Sequence, residues 1–98
     1  MQNNIGNGLA NYTYITGAAT TVIGTGGHIR LHSIVINKAT TSTIKIIDAA
    51  AGTSTTANVG TIAASTPAQS LIYNIVTGAG LTLINSATED ITVVWQQS

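Results

Sequence analysis

Cysteine is missing from all 98 residues, so neither a disulfide framework nor a thiolate metal site can hold this protein together. Charge is almost missing too. Three basic and three acidic residues give 6% charged and a formal net charge of zero, against about 25% charged in an ordinary domain. Arg30, Lys38 and Lys45 are too few to follow a phosphate backbone, which argues against nucleic acid as a partner. No apolar run approaches the roughly 18 residues that a membrane-spanning helix needs. The opening Met1-Gln2-Asn3-Asn4 has neither the basic nor the apolar region of a secretory signal, so cytoplasmic synthesis is expected. Strong helix formers are scarce, whereas Thr, Ile and Val abound, so helices are hard to place.

What remains is a hydrophobic fraction of 44%, too high for a disordered chain. A chain of this length makes one domain with one core. With so few charges, its surface must be built from Thr, Ser, Asn, Gln and Gly. A neutral surface also lacks the like-charge repulsion that keeps small domains apart, which points to a protein that works assembled.

Apolar and β-branched runs alternate with Gly, Asn, Ser and Thr clusters about every 8–12 residues, the spacing of a sandwich or barrel. Strands are expected over 12–16, 20–24, 28–37, 42–48, 58–64, 69–76, 79–85 and 90–96. The expected fold is all-β, a single β-sandwich of jelly-roll type with about eight short antiparallel strands. Residues 1–10 are polar and Gly-rich and read as an N-terminal arm; the sandwich domain is 11–98. Gly24-Thr25-Gly26-Gly27 reads as a hairpin turn, Pro67 as a loop residue, and the alanines within 48–56 as one helical turn at most.

Strand alternation assigns faces. Ile91, Val93 and Trp95 share one face of their strand, with Thr92, Val94 and Gln96 on the other. Leu71, Tyr73 and Ile75 share a face, leaving Ile72 and Val76 opposite. Ile44 and Ile46 point inward, with Ile47 outward beside Lys45. Along 28–37 the phase changes, from Ile29 and Leu31 to Ile34 and Ile36, and a β-bulge near Ser33 would restore one inward face, as would a strand passing between two sheets. Apolar residues on minority faces are candidates for a partner surface. We therefore take Ile47, Ile72 and Val94 as interface candidates, with Tyr12 and Trp95 as aromatic anchors.

Chemistry is hard to find. His28 and His32 have zinc-like spacing, but on a strand they lie about 13 Å apart, so no metal site is expected. Glu89 and Asp90 are adjacent on a strand, diverge, and read as solvated residues that blunt a sticky neighbour. Ser33 beside His32 diverges likewise, and no Gly-x-Ser-x-Gly elbow exists. The Gly-rich 24–27 segment precedes a strand, not the helix a phosphate loop needs. Catalytic, cofactor and metal residues are all expected to be none.

Leu31-His32-Ser33-Ile34-Val35-Ile36-Asn37, Ser42-Thr43-Ile44-Lys45-Ile46-Ile47-Asp48, Leu71-Ile72-Tyr73-Asn74-Ile75, Gly80-Leu81-Thr82-Leu83-Ile84 and Asp90-Ile91-Thr92-Val93-Val94-Trp95 together form a pattern of strands and turns. From His28 onward this pattern resembles small β-sandwich proteins of tailed bacteriophages. The resemblance implies a structural virion protein at the capsid surface, a decoration or cement subunit that stabilises the major capsid lattice. It also implies the major capsid protein as partner and a homo-oligomer, dimer or trimer. A fibre or tail-tip module that recognises a glycan is the alternative, and no active site is implied by either.

Zinc or nickel added to the protein should leave its melting temperature within a few tenths of a degree, since binding to the native state alone would raise it. A saturable rise that His28→Ala abolishes would contradict the strand assignment there.

Overall fold

The computed structural model describes residues 10–24, 27–50 and 56–98. These form eight strands: β1 (Asn11–Ile15), β2 (Ala19–Ile23), β3 (Ile29–Ile36), β4 (Ile44–Ile47), β5 (Gly60–Ile62), β6 (Gln69–Val76), β7 (Leu81–Asn85) and β8 (Ile91–Gln97). Each lies where the alternation put a strand, with ends shifted by two residues at most. No α-helix occurs among the described residues. The expected N-terminal arm, apart from Ala10, and residues 51–55 of the Ala-rich connection lie outside them.

The strands make two four-stranded antiparallel sheets, a front sheet in the order β1-β8-β3-β6 and a back sheet in the order β2-β7-β4-β5. The pairing is nested. β1 joins β8, β2 joins β7, β3 joins β6 and β4 joins β5, as in one long ribbon bent back at its middle. Lateral pairs β3–β8 and β4–β7 then complete each sheet. Only β4 and β5 are both consecutive and paired. The 24–27 link is therefore a crossing from the back sheet to the front, not the hairpin turn that its glycines suggested. Gly24 is needed there for two reasons: its φ is 70°, and a Cβ would sit 2.7 Å from Ile29 Cδ1 and 3.1 Å from the Trp95 ring.

The inward side chains of both sheets meet in one core. Ile29, Leu31, Ile34, Ile91 and Val93 come from the front sheet, and Ile23, Ile44, Ile46, Leu81 and Leu83 from the back. Each such side chain contributes roughly 1.5–3 kcal/mol by leaving water. The expected bulge is present in β3. Between the register points Leu31 and Ser33, β8 has no intervening residue (Trp95, Val94), β3 has one, and β6 has two (Ile75 to Ile72). Asn74, one of the two extra residues in β6, takes a φ of 54°, a conformation that Asn tolerates better than most. Extra residues bend a strand and sharpen its twist. Here they keep Ile29, Leu31, Ile34 and Ile36 all in the core.

Two carboxylates fasten links to sheets. Glu89 is only 5% exposed, so the expectation of a solvated residue is corrected. Its oxygens accept from Ser42 Oγ at 2.6 Å, Ser42 N at 2.8 Å, Thr41 N at 3.0 Å and Thr41 Oγ1 at 3.2 Å. Burial pushes this carboxyl's pKa up, but the bonds from Ser42 and Thr41 together outweigh it and hold the value below the ordinary 4.5. Asp48 accepts from the backbone N–H groups of Gly78 and Ala79, both at 2.8 Å, and of Gly80 at 3.3 Å. The Gly78 and Ala79 bonds lower its pKa below the ordinary 3.8.

Ile47 also departs from expectation. It points away from the core, opposite Thr82, yet it is 0% exposed. The chain leaving β4 folds back over this face: Thr82 Oγ1 donates to the Ala49 carbonyl at 3.3 Å, and a Cβ on Gly80 would lie 2.6 Å from the same oxygen. Ile47 is thus buried on the outer side of the back sheet and is not offered to a partner, because a charge there has no route to water. Ile47→Glu should unfold the protein instead of leaving a folded monomer, as read by circular dichroism.

Both clasps also predict acid sensitivity. As pH falls through about 4.5 and then 3.8, the unfolded carboxyls take up protons before the folded ones, so stability falls with pH. The melting temperature should drop between pH 5 and 3, and Glu89→Gln should remove part of that slope while costing about 1–3 kcal/mol at neutral pH. A melting temperature unchanged over that interval would refute the clasp account.

Candidate interaction surface

Alternation within the front sheet sends every second side chain outward, and the register lines these up in rows across the strands. One row runs Tyr12, Val94, Ser33, Ile72, and the next runs Tyr14, Thr92, Val35, Ser70. Tyr12 is 74% exposed, Ile72 67% and Tyr14 56%, while Val94 and Val35 are half-buried between their neighbours. Val76, exposed on β6, extends the patch at one end. Large apolar side chains left this open are unusual on a monomer when they share a face.

Three of the sequence candidates, Tyr12, Ile72 and Val94, therefore fall in a single row. Trp95 does not join them. It faces the other way, packs against the core and donates from Nε1 to Thr13 Oγ1 at 2.9 Å, so its polar end is already satisfied. Ile47 belongs to the back sheet and is covered. Tyr14 was missed as a candidate, although it shares strand parity with Tyr12, and that parity was the available signal. Val35 was missed because the bulge decides which face it takes.

At one end of the face sits a polar cluster. Asp90 Oδ1 accepts from the Tyr14 hydroxyl at 2.9 Å and from Asn37 Nδ2 at 3.2 Å, and the same Asn37 nitrogen reaches Thr92 Oγ1 at 3.3 Å. The bond to Asp90 raises the Tyr14 pKa above its ordinary value of 10.0, because the phenolate would face a carboxylate instead of donating to it. Asp90 thus orients Tyr14 and is not a mere solvated blunting residue.

Both histidines make hydrogen bonds within the fold. The His28 ring donates from Nδ1 to the Thr77 carbonyl at 2.9 Å. His32 Nδ1 lies 3.0 Å from Ser33 Oγ, so the bulge in β3 brings together two side chains that were expected to diverge, with His32 exposed and Ser33 buried between its neighbours in the outer row. Among the described residues, no three His, Asp or Glu side chains gather as a metal cluster, and no helix is long and apolar enough to cross a membrane. Compared with protein-family models, with curated proteins and with solved structures, the chain matches none.

Asp90→Asn should bring the ionisation of Tyr14 back down toward the ordinary tyrosine range, measured by absorbance titration of the phenols against the wild type. A Tyr14 curve that does not move would show that Asp90 does not face it.

Proposed function

We propose that this chain is a structural virion protein, a capsid decoration or cement subunit bound in many copies to the major capsid lattice at the capsid surface. The observation that carries the proposal is the outer face of the front sheet, where Tyr12, Tyr14, Ile72 and Val76 stand exposed on a protein with six charged side chains in all. Such a face is poorly suited to a free monomer and well suited to a contact between subunits. In a lattice each contact need be only modest, since avidity over many copies supplies the rest.

The nested strand order supports the finer description of the fold as a jelly roll, in which an antiparallel ribbon is rolled into two four-stranded sheets. Folds of this kind serve many roles, so the fold carries no functional argument by itself. The second reading is a fibre or tail-tip module that holds a glycan. The pair Tyr12 and Tyr14 beside the Asp90–Asn37 cluster favours it, because sugar rings stack on aromatic faces while carboxylate and amide groups take their hydroxyls.

Copy number per particle separates the two. A decoration subunit should be present in numbers comparable with the major capsid protein, whereas a tail tip is present in few copies. Tyr12→Glu and Ile72→Glu, at exposed positions where the fold tolerates charge, should give folded protein lost from purified particles. Retention of both variants at wild-type stoichiometry would overturn the assembly role.

A further inference from the structure

The outer face of the front sheet carries a charge pattern that matches its own reverse. Arg30 lies at one end, beside Val76 and Gln96 in the register. Asp90 lies at the other, held by Tyr14 and Asn37, neither of which is a cation. Arg30 meets no carboxylate among the described residues, and it is exposed. Of the remaining charges, Lys45 and Asp48 belong to the back sheet and its link, Glu89 is buried, and Lys38 sits in the link after β3. Arg30 and Asp90 are thus a positive and a negative end, and between them the face mixes Tyr, Val and Ile with Ser and Thr side chains and the exposed imidazole of His32. Gln96 and Asp90 are six residues apart on one side of the sheet, which is roughly 20 Å.

We infer that the occupant of this face is a second copy of the chain, docked face to face about a two-fold axis. The axis lies in the interface, runs across the strands and passes between the Val94 and Thr92 rows. That operation reverses strand direction, so Arg30 of each copy meets Asp90 of the other, and one surface patch serves both subunits. It also sets Tyr12 of one copy over Tyr14 of the second, Val94 over Thr92 on the inner strand β8, and Ile72 over Ser70 on the edge strand β6. A two-fold axis along the strands would instead gather both Arg30 side chains at one end of the interface and both Asp90 side chains at the other, and like-charge repulsion disfavours it.

Four strands spaced about 4.8 Å apart and roughly 20 Å long give a footprint on the order of 400 Å² per copy. This is near half the roughly 800 Å² per partner of a standard interface. The isolated dimer is therefore weak and reversible, and its charge pairs make it sensitive to salt. The inference deepens the assembly role proposed above and rests on it. In a particle the dimer would leave the strand edges and the links between sheets to meet the capsid.

Sedimentation of the chain from micromolar to near-millimolar concentration tests this. The wild type should pass from monomer to dimer, and added salt should weaken the dimer. Arg30→Asp and Asp90→Lys alone each create two like-charge contacts and should weaken it by roughly tenfold or more. Mixed in equal amounts, the two variants restore both opposite pairs and should dimerise like the wild type. A wild type that stays monomeric throughout, or a mixture no better than either variant, would overturn the inference.

Should Asp90→Lys fail to fold, cysteines decide, because the chain has none of its own. Tyr12→Cys and Tyr14→Cys chains should form the mixed disulfide faster than either forms its own, and no such preference would refute the stated axis. A wild type that dimerises but never joins particles sinks the decoration role alone. One that joins particles as a monomer sinks the dimer alone.

Discussion

A β-strand cannot bury one side chain without turning the next one the other way, and the rest of this molecule follows from that constraint. Each sheet gives its inward residues to a shared core of Ile, Leu and Val. Each must then do something with its outward residues. The back sheet buries part of its outer face, where the Ala49 carbonyl accepts from Thr82 and both Thr82 and Ile47 are closed off from water. Among the described residues nothing similar covers Tyr12, Tyr14 and Ile72 of the front sheet, which are exposed. The two solutions to one constraint separate a structural face from a face that is left for a partner.

Ordering the links takes more than sheet pairing. Consecutive strands mostly lie in different sheets, so most links span the sandwich instead of turning tightly, and they need their own fastenings. Glu89 and Asp48 supply two of them by gathering donors from links distant in sequence. Thr40 supplies a third: its Oγ1 donates to the Ala63 carbonyl at 2.7 Å and its backbone exchanges bonds with Ser65 and Thr66. A chain with few charges uses its carboxylates sparingly, and two of the three sit where several N–H or O–H groups converge on them.

Strand positions were legible because period-2 alternation is local. The inward faces of β6 and β8 and the bulge in β3 could be read in the same way, from residues adjacent in sequence. Pairing could not be read, since nothing in the residues of β1 says that β8, at the far end of the chain, is its neighbour. The burial of Ile47 depends on a link folding back, and that of Glu89 on donors that sit 47 residues away. Alternation alone put Ile47 and Ile72 on equal footing. Only the path of the chain distinguishes them. The row of Tyr12, Val94 and Ile72 is the converse case: each outward direction was local, whereas their alignment needed the register.

The central claim is that the outer face of the front sheet is covered when the protein works. Tyrosine footprinting of the free chain and of assembled particles measures this directly, because Tyr12 and Tyr14 stand on that face while Tyr73 packs against the core. In the free chain a phenol-modifying reagent should react readily with Tyr12 and Tyr14 and slowly with Tyr73. In the particle the first two should become protected, with Tyr73 unchanged. Equal modification of Tyr12 and Tyr14 in both states would mean that the face stays open in the assembly, and would contradict the account.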